Sequence, residues 1–257
     1  MRKRTVTAVM GAAAALSSLA APTAHADAGV GDTVINSVLV NDGKPIIIGV
    51  TNKTFPVIMT ATDDHGVGAV GTMTWLWRED STHNSVATGY TDVQACQGSL
   101  PGPTRCLLRG KVDYGPEFLA NNTAGIWNIA AQAVSSDGDY RSVSNEGTTR
   151  VLRQAMLTVN ASPEPVAKGK TLKVTGLLSR ANWEARKYSG YGGKSVQLQF
   201  RKAGASTYTT VKTVTSSSNG ALETTMTASV DGCWRFSFAG STTTGTAKAV
   251  GDCVDVK

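Results

Sequence analysis

Two short turns concentrate oxygen donors. Asp63-Asp64-His65-Gly66 follows one apolar run, and Asp137-Gly138-Asp139 follows another. Carboxylates are the hard ligands that calcium prefers. Asp63, Asp64, Asp137 and Asp139 therefore form a candidate calcium site if the fold brings the two turns to one end. No EF-hand spacing accompanies them, and Asp and Gly suit tight turns for backbone reasons alone. Turn chemistry is the preferred reading, and it needs no cofactor.

A second constellation lies at 179–194, where Trp183, Tyr188 and Tyr191 interleave with Arg180, Arg186, Lys187 and Lys194. Aromatic faces with polar donors bind sugars, and basic groups hold phosphate-bearing polymers. On that chemistry Arg180, Trp183, Arg186, Lys187, Tyr188 and Tyr191 are the candidate ligand-binding residues. The competing reading is a long loop over one end of a domain, its aromatics capping the core. The ordinary burial of aromatic side chains favours it.

Catalysis finds little support. The three histidines are His25, His65 and His83, and none sits in a recognisable motif. A serine triad needs a nucleophile, a base and an orienting acid, and the Gly-x-Ser-x-Gly elbow is missing. No carboxylate pair stands out for glycoside hydrolysis. The four cysteines read as two disulfides rather than as reactive thiols. Cys96 and Cys106 flank the turn-forming residues Pro101-Gly102-Pro103, so a bridge between them would staple a hairpin. Cys233 and Cys253 lie at equal distances from Thr243, which places them opposite each other in a hairpin centred there. Zinc is disfavoured, because no CxxC or nearby histidine accompanies either pair. The Pro101 turn could also serve as an exposed protease-inhibitory loop, although proline-flanked turns are ordinarily only turns.

The elements that must position these residues are strands. Runs of Val, Ile, Thr and aromatic residues alternate with Gly, Asn, Asp, Ser and Pro turns throughout. The first half reads as strands at 33–40, 46–51, 56–62, 70–78, 85–92, 105–112, 125–134 and 142–152, with a helical turn at 116–120. The second half reads as strands at 156–161, 171–178, 195–201, 208–215, 221–228, 233–239 and 247–256. Seven strands in about a hundred residues suit an immunoglobulin-like sandwich. Ser162-Pro163-Glu164-Pro165 interrupts the first of them, as expected where a strand leaves one sheet for another. The fold class is all-β, two tandem immunoglobulin-like β-sandwich domains.

Charge divides the chain in the same place. Residues 27–155 carry 13 acidic and 9 basic side chains, a net of −4, whereas 156–257 carry 6 acidic and 13 basic, a net of +7. The expected domains are an acidic sandwich at 27–155 and a basic one at 156–257. Without the basic residues of the leader the overall excess is too small to suggest nucleic acid.

Residues 232–240 read Gly-x-Trp-Arg-x-x-Phe-Ala-Gly and are followed by Val254-Asp255-Val256. With Leu157-Thr158-Val159, Arg180-Ala181-Asn182-Trp183 and Gln199-Phe200-Arg201-Lys202, this resembles bacterial immunoglobulin-like domains of secreted, Streptomyces-like actinomycete proteins. Residues 125–140, ending in Ser136-Asp137-Gly138-Asp139-Tyr140, look like the penultimate strand and turn of a second such domain. The resemblance implies a secreted tandem sandwich and assigns no catalytic residue.

The N-terminus agrees with export. Arg2, Lys3 and Arg4 precede an uncharged, Ala-rich stretch, and Ala24-His25-Ala26 is a small-x-small cleavage signature. Residues 1–26 are therefore expected to be a secretory signal peptide. The stretch is too short and too interrupted by serines for a membrane anchor, and no later segment is apolar enough to insert. The expected protein is extracellular or cell-wall-associated and non-catalytic. It would be a binding or structural module whose partner is an extracellular protein or a polysaccharide. Carbohydrate or wall-polymer binding through 179–194 is the alternative, and calcium binding or protease inhibition stands behind it.

Overall fold

The computed structural model describes residues 27–79, 85–98, 100, 102–113 and 119–257. The signal peptide expected at 1–26, His83, residues 99 and 101 of the proline turn and most of the expected 116–120 helical turn lie outside the described residues.

The first half comprises β1 (Ala28–Val30), β2 (Val34–Val40), β3 (Ile46–Ile48), β4 (Lys53–Thr62), β5 (Met73–Glu79), β6 (Ser85–Gln97), β7 (Thr104–Val112), β8 (Gly125–Val134), β9 (Tyr140–Val143) and β10 (Thr148–Arg153). One antiparallel layer is β2-β4-β7 with the second part of β6. The facing layer is the first part of β6 with β5, β8, β9 and β10. β6 pairs β5 through residues 85–90 and β7 through 90–97, so a single strand crosses between layers. It joins ten strands into one continuous ladder. β3 adds to β10 in parallel. This is the immunoglobulin-like plan.

Alternation explains the layers. β7 buries every second residue from Thr104 to Val112, and β4 turns Phe55, Val57, Met59 and Ala61 inward. Trp127, fully buried on β8, completes the core and donates its indole N–H to the Thr123 carbonyl at 2.8 Å. Gly110 is required where it stands, because a Cβ there would lie 2.3 Å from the Phe55 ring.

The second half comprises β11 (Ala155–Leu157), β12 (Asn160–Ser162), β13 (Thr171–Asn182), β14 (Lys187–Gly190), β15 (Ser195–Lys202), β16 (Thr209–Thr215), β17 (Ala221–Thr227), β18 (Gly232–Phe238), β19 (Ala247–Lys248) and β20 (Asp252–Val254). β13 collects β11, β12, β14 and β17 into one sheet, and β16-β15-β18 with β19 and β20 forms the other. Leu172, Val174, Val196, Leu198, Trp234, Phe236 and Phe238 fill the space between them. Val166 bridges Val256 in parallel beyond the Ser162–Pro165 segment, so the chain does change sheets across the prolines.

The expected strands are present, except that 156–161 is broken into β11 and β12 and 247–256 into β19 and β20, and others differ at their ends. Ser144 to Gly147 splits the expected 142–152 strand into β9 and β10. β13 runs four residues past its expected end, to Asn182, and pairs with β14, an unexpected strand. Both differences arise from backbone pairing that alternation alone does not encode.

Candidate functional site

The two aspartate turns meet. The turn after β4 and the turn between β8 and β9 emerge at one end of the first sandwich. Oxygen or nitrogen atoms of Asp63, Asp64, His65 and Asp137 fall within 4.8 Å of one another, as do those of Asp32, Asp63 and Asp139. Asp63 is buried; one of its oxygens accepts from the Thr33 hydroxyl and the other from the His65 backbone N–H at 2.8 Å. Asp137 accepts from the Ser135 hydroxyl and from the Asp139 N–H at 3.2 Å. Asp139 in turn accepts from the Asp32 N–H at 3.2 Å. Gly31, at φ +77°, leaves room for this, since a Cβ there would collide with the Asp139 carboxylate.

His65 sits inside the cluster, its Nδ1 2.5 Å from Asp64 and 2.9 Å from Asp137. Hydrogen bonding to Asp64, and then the charges of Asp64 and Asp137, raise its pKa. The Ser135 hydroxyl lowers Asp137, whereas partial desolvation followed by the neighbouring carboxylates raises Asp32. When protonated, the His65 ring balances part of the carboxylate charge around it. Sequence reasoning chose four of these residues and missed Asp32 and His65. His65 was legible, being in the turn itself. Asp32 was not, because it arrives from a segment 31 residues before Asp63.

Residues 179–194 do something other than form a ligand loop. They continue β13 and return as β14, a hairpin paired from Ser179↔Gly190 to Asn182↔Lys187. Its tip drives Trp183 into the core of the first sandwich, where the ring is 0% exposed beside Ile48, Phe55 and Trp127 in one apolar cluster. The indole N–H donates to the Ile48 carbonyl at 3.2 Å. Asn121 clasps the tip: its side-chain oxygen accepts from the Trp183 N–H at 3.0 Å, and its amide donates to Asn182 and Glu184. Tyr191 is 7% exposed in the second core, edge-on to Phe238, with Arg180 and Lys194 over its ring. Tyr188 donates its hydroxyl to Gln154 at 2.6 Å.

The ligand-loop expectation is corrected on this geometry. Trp183 and Tyr191 have no open face for a sugar, because both rings are committed to cores. Arg186 and Lys187 are exposed at the turn, and Arg180 and Tyr188 are half-buried. The charged residues alone do not make the expected aromatic platform.

The hairpin is one part of a continuous junction. Ala181 N–H donates to the Gln154 carbonyl at 2.8 Å, and Arg153 Nε donates to the Ala181 carbonyl at 2.6 Å. Arg153 also exchanges backbone bonds with Thr243 and Gly245, extending a strand-like bridge to the second sandwich. Burial, and secondarily the charge of Arg180, lowers the Arg153 pKa to about 10.

Both expected disulfides are formed, Cys96–Cys106 and Cys233–Cys253. Each joins directly opposed residues on neighbouring strands, β6 to β7 and β18 to β20.

No family model and no curated protein matches the chain. Among solved structures it is similar to dimeric latent PorU from Porphyromonas gingivalis, at 12% identity and a TM-score of 0.31, covering 87% of this chain and 20% of that one. It is similar to the Escherichia coli adhesin FdeC at 18% identity and a TM-score of 0.29, covering 85% and 62% of the two chains. For the amphioxus IgVJ-C2 molecule the values are 13%, 0.29, 82% and 99%. The chain therefore spans less than two thirds of the PorU and FdeC chains. At these scores the likenesses carry no argument, and the strand pairing itself identifies the immunoglobulin-like plan.

Proposed function

We propose that this is an exported, non-catalytic binding or structural module of the cell envelope or extracellular space, with domains at 27–155 and 156–257. The observation that carries the reading is the junction. A tryptophan of one sandwich completes the core of the other, and backbone hydrogen bonds of Gln154 with Ala181 and of Arg153 with Thr243 and Gly245 accompany it. Such a connection supports a stiff two-part body that presents its surfaces at a fixed separation, rather than two beads on a flexible linker. Two disulfides support an oxidising destination, and the leader at 1–26 supports export. No helix among the described residues is long and apolar enough to cross a membrane.

The test is retention of the mature chain on purified cell wall, chitin, cellulose or immobilised extracellular proteins, with the retained material assayed for chemical change. Retention without turnover is expected. Hydrolysis or modification of a retained material would overturn the non-catalytic reading.

A further inference from the structure

We infer that the outer face of the β15-β16-β18-β19 sheet is a binding site for an anionic polysaccharide. The inference rests on the binding-module reading above and names its ligand class and surface.

Register places the relevant side chains. Gln199 lies opposite Arg235, Arg201 opposite Cys233, and Ser237 opposite Lys248. Directly opposed residues share a face, and so do residues two apart on one strand. Lys248, Arg235 and Arg201 therefore stand on the same outer face, each one strand over and two residues along from the last. This makes a straight diagonal row of cations with Cα atoms spaced about 8 Å apart. Phe200, Trp234 and Phe236 point the other way, into the core.

The row is uncompensated. Among the described residues no carboxylate lies within ion-pair distance of Arg201, Arg235 or Lys248, whereas Lys173 on the opposite sheet has Glu223 at 2.8 Å. The only acidic residue within these strands and β20 is Asp252. It lies opposite Trp234 and accepts the Ala161 N–H at 2.7 Å, turned toward the other sheet. Asp231 and Asp255 lie past the strand ends.

The row is also held in place. Tyr208 lies across it, with the Arg235 guanidinium 3.8 Å and that of Arg201 5.2 Å from its ring centroid. Arg235 Nε donates to Gln199 at 2.9 Å, and Gln199 reaches Thr210 at 3.3 Å. Beside the line of charge there is consequently a line of amide and hydroxyl groups. Charges at regular intervals suit the anionic groups of an extended polymer, and the flanking amides and hydroxyls suit its sugar hydroxyls. That combination favours an acidic polysaccharide over an acidic peptide, which offers few hydroxyls.

The experiment uses the disulfide-intact mature chain, titrated with dextran sulfate, carboxymethyl dextran and neutral dextran of one length, and with polyglutamate. Binding to one or both anionic dextrans, weakened by salt, and little binding to neutral dextran are expected; the two anionic probes separate sulfate from carboxylate recognition. R201Q/R235Q should weaken binding roughly tenfold, since each half-buried charge-assisted contact contributes modestly. K248Q, which alters an exposed side chain outside the Tyr208 stack, should weaken it less. K168Q/K170Q, in the turn that precedes β13 and outside the row, should change it by less than about twofold. An equal loss in that control would reduce the effect to net charge and overturn the site. Polyglutamate binding as tight as the dextrans, or low-salt self-association that competes with them, would overturn the ligand class. No binding to either anionic dextran by a chain still retained on wall or protein supports would overturn this inference alone; loss of both would end the module reading too.

Discussion

The two sandwiches follow one strand plan and use their extra residues in opposite directions. In the first, the long β6 crosses from one layer to the other and closes the sandwich on itself. In the second, the two sheets stay separate, and the extra length of β13 with β14 projects outward into the neighbour's core. The first is therefore reinforced both by β6 and by its neighbour, whereas the second supplies the shared contact. The consequence for surfaces follows directly. Trp183 is taken up by the junction and Tyr191 by the second core, in keeping with the favoured core-capping reading, and the sheet face is left to carry the positive charge.

The largest effect should come from breaking what is shared. Trp183→Ala removes a fully buried indole from the first core, a change that typically costs about 3–5 kcal/mol. Trp127→Ala, inside the first sandwich, should cost a similar amount. The comparison lies in cooperativity. Calorimetry should show W183A splitting into two transitions as the sandwiches uncouple, with small-angle scattering reporting a broader range of separations. W127A should lower the first sandwich while leaving the contact from the second in place. A single sharp transition for W183A would mean that the backbone bonds around Arg153 and Ala181 suffice to couple the halves.

The disulfides sharpen the comparison at smaller scale. Each joins neighbouring strands within a sheet, so neither ties one layer to the other. Their contribution is loop closure, about 3 kcal/mol each on the chain-entropy account. The sequence separations are 10 and 20 residues, and a doubling of the loop adds about 0.6 kcal/mol. Denaturant melts of C96A/C106A and C233A/C253A should therefore show the second pair to matter slightly more. The reverse order would show that packing around the buried Cys106 outweighs loop entropy.

What was legible in the residues was what alternation and turn chemistry encode. Leu172, Val174, Val196 and Leu198 announce a half-buried pair of sheets, and Cys233 and Cys253 announce their own opposition through a shared centre. The convergence of Asp63 with Asp137 was legible only as a condition, that the fold bring the two turns to one end. The junction was not legible. Burial of Trp183 over one end of a domain is the favoured reading of the sequence, but its entry into the neighbouring core, with its indole on the Ile48 carbonyl, depends on a contact that local sequence does not encode. The cation row was equally hidden. Lys248, Arg235 and Arg201 are remote in sequence, and their alignment depends on a register fixed by strand pairing.

A smaller effect should separate the sandwiches by pH. The second contains no histidine, so titration near neutrality belongs to the first. His65 has a raised pKa in the folded chain. It therefore contributes stability that is fully present below about 6.5, the ordinary histidine value, and is lost as pH rises through its folded value. The stability difference between the parent chain and H65N should be largest near pH 6 and fade at alkaline pH. H83N is the control. A difference that grows with pH would mean that His65 is neutral in the cluster and that the carboxylates repel without it.

The smallest expected effect concerns calcium. Asp63 has both oxygens engaged, by Thr33 and by the His65 backbone, and His65 lies against Asp64 and Asp137 where a cation would otherwise balance them. A network already satisfied by hydroxyls, backbone N–H groups and an imidazolium gains little from a metal that must displace them. Melting curves with a chelator and with millimolar calcium should coincide for the parent chain. A ligand that binds only the folded state would instead raise the melting temperature with its concentration. If calcium stabilises H65N but not the parent chain, the imidazolium is what occupies the place of the cation. If it stabilises both, the turn network is a calcium site and the first sandwich, like the second, carries a ligand of its own.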